Sequence, residues 1–169
     1  MSVWQLDALS GTADDGRTLE VALGGPPDGI PLIFFHGTPG AAGPFYRLIE
    51  TGAERGVRHI AYSRPGYGAS DRHPGRTVAS CVADVVAIAD ALGYDRFYCS
   101  GGSGGGPHSI ACAALIPDRV IGVAAIATPA PIDAEDFDWT ADMGEDNIEE
   151  YGTARALARK RSFGPREAA

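Results

Sequence analysis

A serine set among glycines, Gly101-Gly102-Ser103-Gly104-Gly105, is the segment of this sequence best suited to covalent chemistry. A serine hydroxyl becomes a useful nucleophile when it is exposed to substrate, set beside a base, and aimed at a carbonyl whose developing charge meets waiting donors. The spacing G-x-S-x-G supplies the exposure. It places the serine on a strained turn between a strand and a helix, where a Cβ on the flanking residues would clash as the chain reverses. Gly101 and Gly105 meet that demand. The amide of Gly104, at the start of the following helix, would face the substrate oxygen with the helix dipole assisting. A second donor has to come from another segment. His36-Gly37-Thr38-Pro39-Gly40 ends an earlier apolar run, and open sheets with helical crossovers gather their ligands at the carboxyl ends of the strands. Thr38 N–H is the candidate for that second donor.

The elements that must position these segments are marked by punctuation. The 23 glycines and 12 prolines are more than a helical bundle would use, and they cluster between apolar runs as turn residues. Residues 17–23 alternate as a half-exposed strand should, residues 24–29 break the pattern, and an edge hairpin with residues 3–9 follows. Residues 30–35 form a continuous apolar run too short for a typical helix, hence a strand buried on both faces. Pro44 can open a helix with Phe45, Leu48 and Ile49 at helical spacing, closed by Gly56, and residues 57–63 supply another strand. Thr77 is a candidate cap for a helix whose stripe is Val78, Val82, Val85, Ala89 and Leu92, with Asp84 and Asp90 on polar faces and Gly93 as terminator. Residues 96–100 run as a strand directly into the glycines, residues 108–116 follow as an alanine-rich helix, and residues 120–127 form one more buried strand. The alternation predicts an α/β fold, a doubly wound and mostly parallel sheet with helices on both faces.

Totals limit the function classes. At 169 residues and 44% apolar content the chain can bury a substantial core. Its net charge of -8 would repel polyanions, so no nucleic-acid role is expected. The first ten residues lack a basic segment followed by an apolar run. No stretch approaches the roughly 18 apolar residues of a membrane span, so no membrane partner and a cytoplasmic location are expected. Cys81, Cys99 and Cys112 lie in apolar stretches without C-x-x-C spacing, which favours buried thiols in a reducing compartment. No cofactor is implied and no ligand cluster suggests a metal. Residues 133–150 hold nine acids and no Lys or Arg, whereas residues 151–169 carry five basic residues. That shift divides the chain into a core, 1–132, and a separate segment, 133–169.

The motifs together resemble the α/β-hydrolase family. His36 to Gly40 is similar to its oxyanion loop, residues 101–105 to its nucleophile elbow, and Ser63-Arg64-Pro65-Gly66-Tyr67-Gly68-Ala69-Ser70 to its D-x-P-G-x-G-x-S turn, with Ser63 where the family usually has an acid. The resemblance spans residues 18–132. It implies the N-terminal part of that fold, attack by Ser103, an oxyanion held by the amides of Thr38 and Gly104, and an architectural role for residues 64–70. It also implies a small-molecule acyl substrate, an ester, amide or related bond. The family's dehalogenases and epoxide hydrolases use aspartate at the serine position.

The family's acid and histidine follow the nucleophile in the chain. Here only His108 does, and on the same helix as the elbow it is badly placed to reach the Ser103 hydroxyl. His36 is similar to the histidine that steadies the oxyanion loop, while His59 and His73 read as surface or turn residues. Asp133, Asp136 and Asp138 lie just beyond the last strand, in an acidic stretch that reads as a solvated face. Trp139, Met143, Ile148 and Tyr151 resemble the start of the family's lid, and residues 155–161 form a basic helix candidate that ends at Gly164-Pro165. The chain therefore resembles the first part of a larger hydrolase, and its open sheet edge after a sixth strand invites self-association. Two functions follow: a serine hydrolase acting through an acyl-enzyme, or a non-catalytic relative with a binding or interaction role.

Overall fold

The computed structural model describes residues 7–43, 46–131 and 138–163. They divide into two compact units, 1–129 and 130–169, each described by itself. The first unit is built on a six-stranded sheet: β1 (Asp7–Thr12), β2 (Thr18–Gly24), β3 (Ile30–Phe35), β4 (Val57–Tyr62), β5 (Phe97–Gly102) and β6 (Val120–Ile126), in the spatial order β1-β2-β4-β3-β5-β6. β1 and β2 form an antiparallel hairpin, β2 meets β4 antiparallel, and β4, β3, β5 and β6 run parallel. The α/β class and the mostly parallel sheet expected from the sequence are both present.

Right-handed crossovers decide where the helices go. The chain steps from β3 to β4 in one direction, carrying α1 (Tyr46–Ala53) onto one face, where it packs on β4 and β2. It then steps back across β3 to β5 and on to β6. This carries α2 (Cys81–Ala91) and α3 (Gly106–Leu115) onto the opposite face, where they pack on each other. The main core lies there: Ile33, Phe35, Ile60, Tyr62, Phe97 and Cys99 meet Val85, Ile88, Ala89 and Cys112. Period-two alternation sends Phe34 and Ala61 to the other side, with Ala42 and Ala22.

Parallel register aligns the strand ends. Phe35 pairs with Tyr62 on one side and Gly101 on the other, and Gly101 pairs with Ala125. The loops after β4, β3 and β5 therefore leave the sheet side by side, with that of β3 in the middle. The reversal of strand order around β3 is the switch point at which such sheets bind ligands.

Several expectations are corrected. β6 is not a buried strand: Val120 is buried, but Ile121, Val123 and Ile126 are exposed. Among the described residues β6 pairs only with β5, and an open apolar depression lined by Ile30, Leu32, Val57, Tyr98 and Val123 lies on the face away from α2 and α3. Asp84 is not on a polar face. It is fully buried, with Arg17 Nη2 donating to its Oδ1 at 2.7 Å, while Arg17 Nε bonds Asp15 at the same distance. α2 begins at Cys81 rather than after Thr77, because Thr77 N–H donates to Ser80 Oγ (2.9 Å) in a turn that leaves Val78 exposed. His59 is buried on β4 beside Phe34, since its strand is flanked by β2 and β3. The three cysteines are free and buried; the Cys112 thiol and burial push Cys81 up from the ordinary thiol range, and Cys112, lowered by its bond with Cys81, is carried above that range by Cys99 and burial.

In the second unit the end of the acidic stretch and the first part of the basic one lie on one helix, α4 (Glu145–Phe163), with Glu145 and Asp146 in its first turn, as the helix dipole favours. Trp139 Nε1–H donates to Ala130 O and its ring meets Tyr151 edge-on at 4.6 Å. No helix among the described residues is long and apolar enough to cross a membrane. The expected start of the α1 helix at Pro44 and Phe45, its stop signal for α4 at Gly164, and Asp133 and Asp136 lie outside the described residues.

Candidate active site

β5 delivers Ser103 into a single 3₁₀ turn, Ser103–Gly105, before α3 begins. Ser103 is exposed and has φ +49°, a left-handed backbone that costs a non-glycine residue about 1–2 kcal/mol. Gly101 and Gly105 are sterically required. A Cβ on Gly101 would collide with the backbone of Gly105 and come within 2.9 Å of Gly106 N, and one on Gly105 would collide with the carbonyl oxygens of Phe35 and His36. The packing thus fixes the turn against the end of β3.

The loop after β3 sits directly beside it. A Cβ built on Gly37 would lie 3.4 Å from Ser103 Cβ and 3.8 Å from its Oγ, and one on Gly104 would lie 2.9 Å from Thr38 Oγ1 and 3.5 Å from Thr38 N. Ser103, Gly104 and Thr38, inferred from separate stretches of sequence, are therefore neighbours. The Thr38–Pro39 peptide bond is cis.

The side chain that ties this loop down is Arg64. It is 2% exposed, donates from Nη1 to His36 O and from Nη2 to Gly37 O (3.3 Å) and Thr38 Oγ1 (2.9 Å), and lies 5.3 Å from the Tyr67 ring centre. Burial holds its pKa below the usual guanidinium value. Sequence reasoning took residues 64–70 as architecture without singling out this arginine. The available signal was a cation between an apolar strand and a Pro-Gly turn, just past the end of the strand that register sets beside β3. Tyr67 completes the clamp: a hydrogen bond from Thr38 holds its hydroxyl below the ordinary tyrosine range, and its ring meets His36 at 5.0 Å.

None of the four histidines is hydrogen-bonded to Ser103. His36 is buried, accepts the Arg64 N–H at Nε2 (3.1 Å) and bonds Gly37 O through Nδ1 (2.7 Å), and burial lowers its pKa to about 4. It is therefore neutral at pH 7 with its proton on Nδ1. His59 is also lowered to about 4 by burial, and neither of its ring nitrogens has a partner among the described residues. His108 is buried with Nδ1 at 3.3 Å from Val78 O and its ring stacked on Phe35 at 6.2 Å, on the α2 and α3 side of the sheet. His73 lies in the loop after β4. Asp138 accepts from the Thr140 hydroxyl (2.7 Å) and amide (2.9 Å), which lower its pKa. No group of three or more His, Cys, Asp or Glu residues that could hold a metal is found among the described residues.

Residues 30–150 match the family model for the alpha/beta hydrolase fold. The chain belongs to the α/β-hydrolase fold family. It is 30% identical over 123 residues to the non-heme chloroperoxidase of Streptomyces lividans, covering 72% of this chain and 45% of that protein. With the proline iminopeptidase of Neisseria meningitidis serogroup A it shares 38% identity over 105 residues, 59% of this chain and 33% of the relative. Among solved structures, epoxide hydrolase A of Mycobacterium thermoresistibile superposes with a TM-score of 0.68 at 20% identity, over 88% of this chain and 45% of that one. The chain spans less than half the length of these α/β hydrolases.

The family turn's usual acid, replaced here by Ser63, has a substitute in space. Ser63 Oγ donates to Glu20 Oε2 (2.5 Å) and accepts from Ala42 N–H (2.8 Å), and the same Glu20 oxygen accepts from Ala69 N–H (3.1 Å). The carboxylate thus arrives from β2 and reaches the oxyanion-loop side through the serine hydroxyl.

Proposed function

We propose that this protein is a serine-nucleophile hydrolase of an ester, amide or related acyl bond. The observation that carries the proposal is the left-handed, exposed Ser103 held by sterically required glycines against Gly37 and Thr38. Ser103 Oγ would bond to the acyl carbon as the carbonyl oxygen gathers negative charge beside the amides of Thr38 and Gly104. The alcohol or amine would leave with a proton, and water would then release the acid and restore the hydroxyl. The serine supports acyl transfer over the aspartate chemistry of the epoxide hydrolases that share the fold. A fluorophosphonate probe tests the reading: one adduct on Ser103, lost in Ser103→Ala, is expected. No adduct, or equal labelling of the variant, would sink it.

A second reading, a non-catalytic relative, is favoured by the engagement of His36 and His108 in hydrogen bonds elsewhere. Enzymes stripped of a triad member keep only about 10³ to 10⁴-fold catalysis over water. Turnover of 4-nitrophenyl esters separates the two: catalysis abolished by Ser103→Ala favours the hydrolase, and a rate equal to that of the variant favours the binding protein.

A further inference from the structure

The loop between β4 and α2 lines a second pocket, open to solvent and of about 380 Å³, whose polar lining is Tyr67, Arg72, His73 and Arg76, with Gly66 and two prolines completing the wall. Three of these side chains are cationic or can become so, in a chain whose net charge is -8. Among the described residues neither Arg72 nor Arg76 has a carboxylate within 4.0 Å; the ion pairs found there belong to Arg17 and Arg119. His73 Nδ1 is shielded from solvent yet has no hydrogen-bond partner. A polar nitrogen without a partner costs about 1–3 kcal/mol, a cost that a turn of the ring toward a ligand in the pocket would relieve.

The nearby acids are already occupied. Asp71 Oδ2 accepts the Thr18 N–H (2.7 Å), Asp15 is paired with Arg17, and Glu20 serves Ser63 and Ala69. Arg76 lies 5.9 Å from the Tyr67 ring centre, and Arg64 lies 5.3 Å from the same centre. Two guanidinium groups thus share one aromatic ring. Guanidinium forks match the planar, two-oxygen edge of carboxylates and phosphates.

We propose that this pocket is a binding site for a small oxyanion, a carboxylate or phosphate group, gripped by Arg72, Arg76 and His73. Tyr67 links it to the oxyanion loop through its hydrogen bond with Thr38, so an occupied site steadies the loop beside Ser103. The binding itself does not depend on Ser103 being a nucleophile.

Amide and histidine NMR of the whole chain, titrated at pH 7 and constant ionic strength, tests this with inorganic phosphate in one series and glutarate in another. Saturable shifts at Gly66, Tyr67, His73 and Arg76 are expected. Saturation by phosphate alone identifies a phosphate ester as the ligand class, saturation by glutarate alone a carboxylate, and saturation by both the shared chemistry. The Arg72→Gln/Arg76→Gln pair, at exposed and half-exposed positions, should keep the rest of the spectrum and weaken binding at least about tenfold. Ser103→Ala should bind as the unaltered chain does. Non-saturating shifts with both anions, or affinity unchanged in the double variant, would overturn the site.

Discussion

Replacing Arg64 by alanine removes the one side chain that bonds three consecutive residues of the oxyanion loop: His36 O, Gly37 O at 3.3 Å and Thr38 Oγ1 at 2.9 Å. Hydrogen bonds from a charged donor contribute about 1.5–3 kcal/mol each, and the long bond to Gly37 belongs at the bottom of that range, giving about 5–7 kcal/mol before opposing terms. The ring contact with Tyr67 adds about 1 kcal/mol. Against this stands the cost of keeping a guanidinium dry, several kcal/mol, the same burial that lowers its pKa. The net loss is about 2–4 kcal/mol, since alanine recovers the desolvation cost but strands two carbonyls. For a chain of this size each kcal/mol moves Tm by about 2–4 °C, so a fall of roughly 4–16 °C is expected. Hydrogen exchange at Thr38 should accelerate more than exchange in the middle of β3. Arg64→Lys should recover only part of the loss, because an ammonium cannot span the fork's acceptors. A Tm within 2 °C of the unaltered chain, with Thr38 exchange unchanged, would refute the clamp.

Gly101→Ala should destabilise by more than about 2 kcal/mol in urea unfolding and abolish fluorophosphonate labelling, because the new Cβ meets only backbone of Gly105 and Gly106. His36 and His59 stay neutral in the fold down to about pH 4, whereas unfolded histidine gains its proton near 6.5. The unfolded state therefore binds more protons between these values, and stability should fall as pH drops from about 6.5 to 4, by roughly 1–3 kcal/mol per ring. His59→Leu should flatten that limb in a pH series of denaturation midpoints; an unchanged slope counts against a buried neutral His59. Arg17→Ala leaves Asp84 buried without its partner and should cost about 3–5 kcal/mol, while the Arg17→Met/Asp84→Leu pair should recover most of the loss in the same assay.

What was legible in the sequence was local. The elbow glycines, the apolar run of β3 and the Pro-Gly turn each carry their reason within a few residues, so the α/β class and the meeting of Ser103 with Thr38 and Gly104 follow from strand ends and crossovers. What was not legible depends on which strands become neighbours. His59 and Asp84 look like surface residues in a periodic pattern, yet the order β2-β4-β3 encloses the first, and the Arg17 side chain reaches the second from 67 positions away. Ser63 shows the same limit most sharply. Its identity departs from the family turn, and along the chain nothing replaces the acid; across the sheet, the antiparallel pairing of β2 with β4 sets Glu20 beside it. A hydroxyl that donates to Glu20 and accepts from Ala42 carries the carboxylate's influence one side chain further than a direct acid would. The motif's acceptor is thus retained while its residue is not. The turn's geometry, fixed by Gly66 and Gly68 at positive φ, needs an acceptor at that point rather than a particular amino acid. Motif matching weighs the letter at position 63; the fold weighs the oxygen.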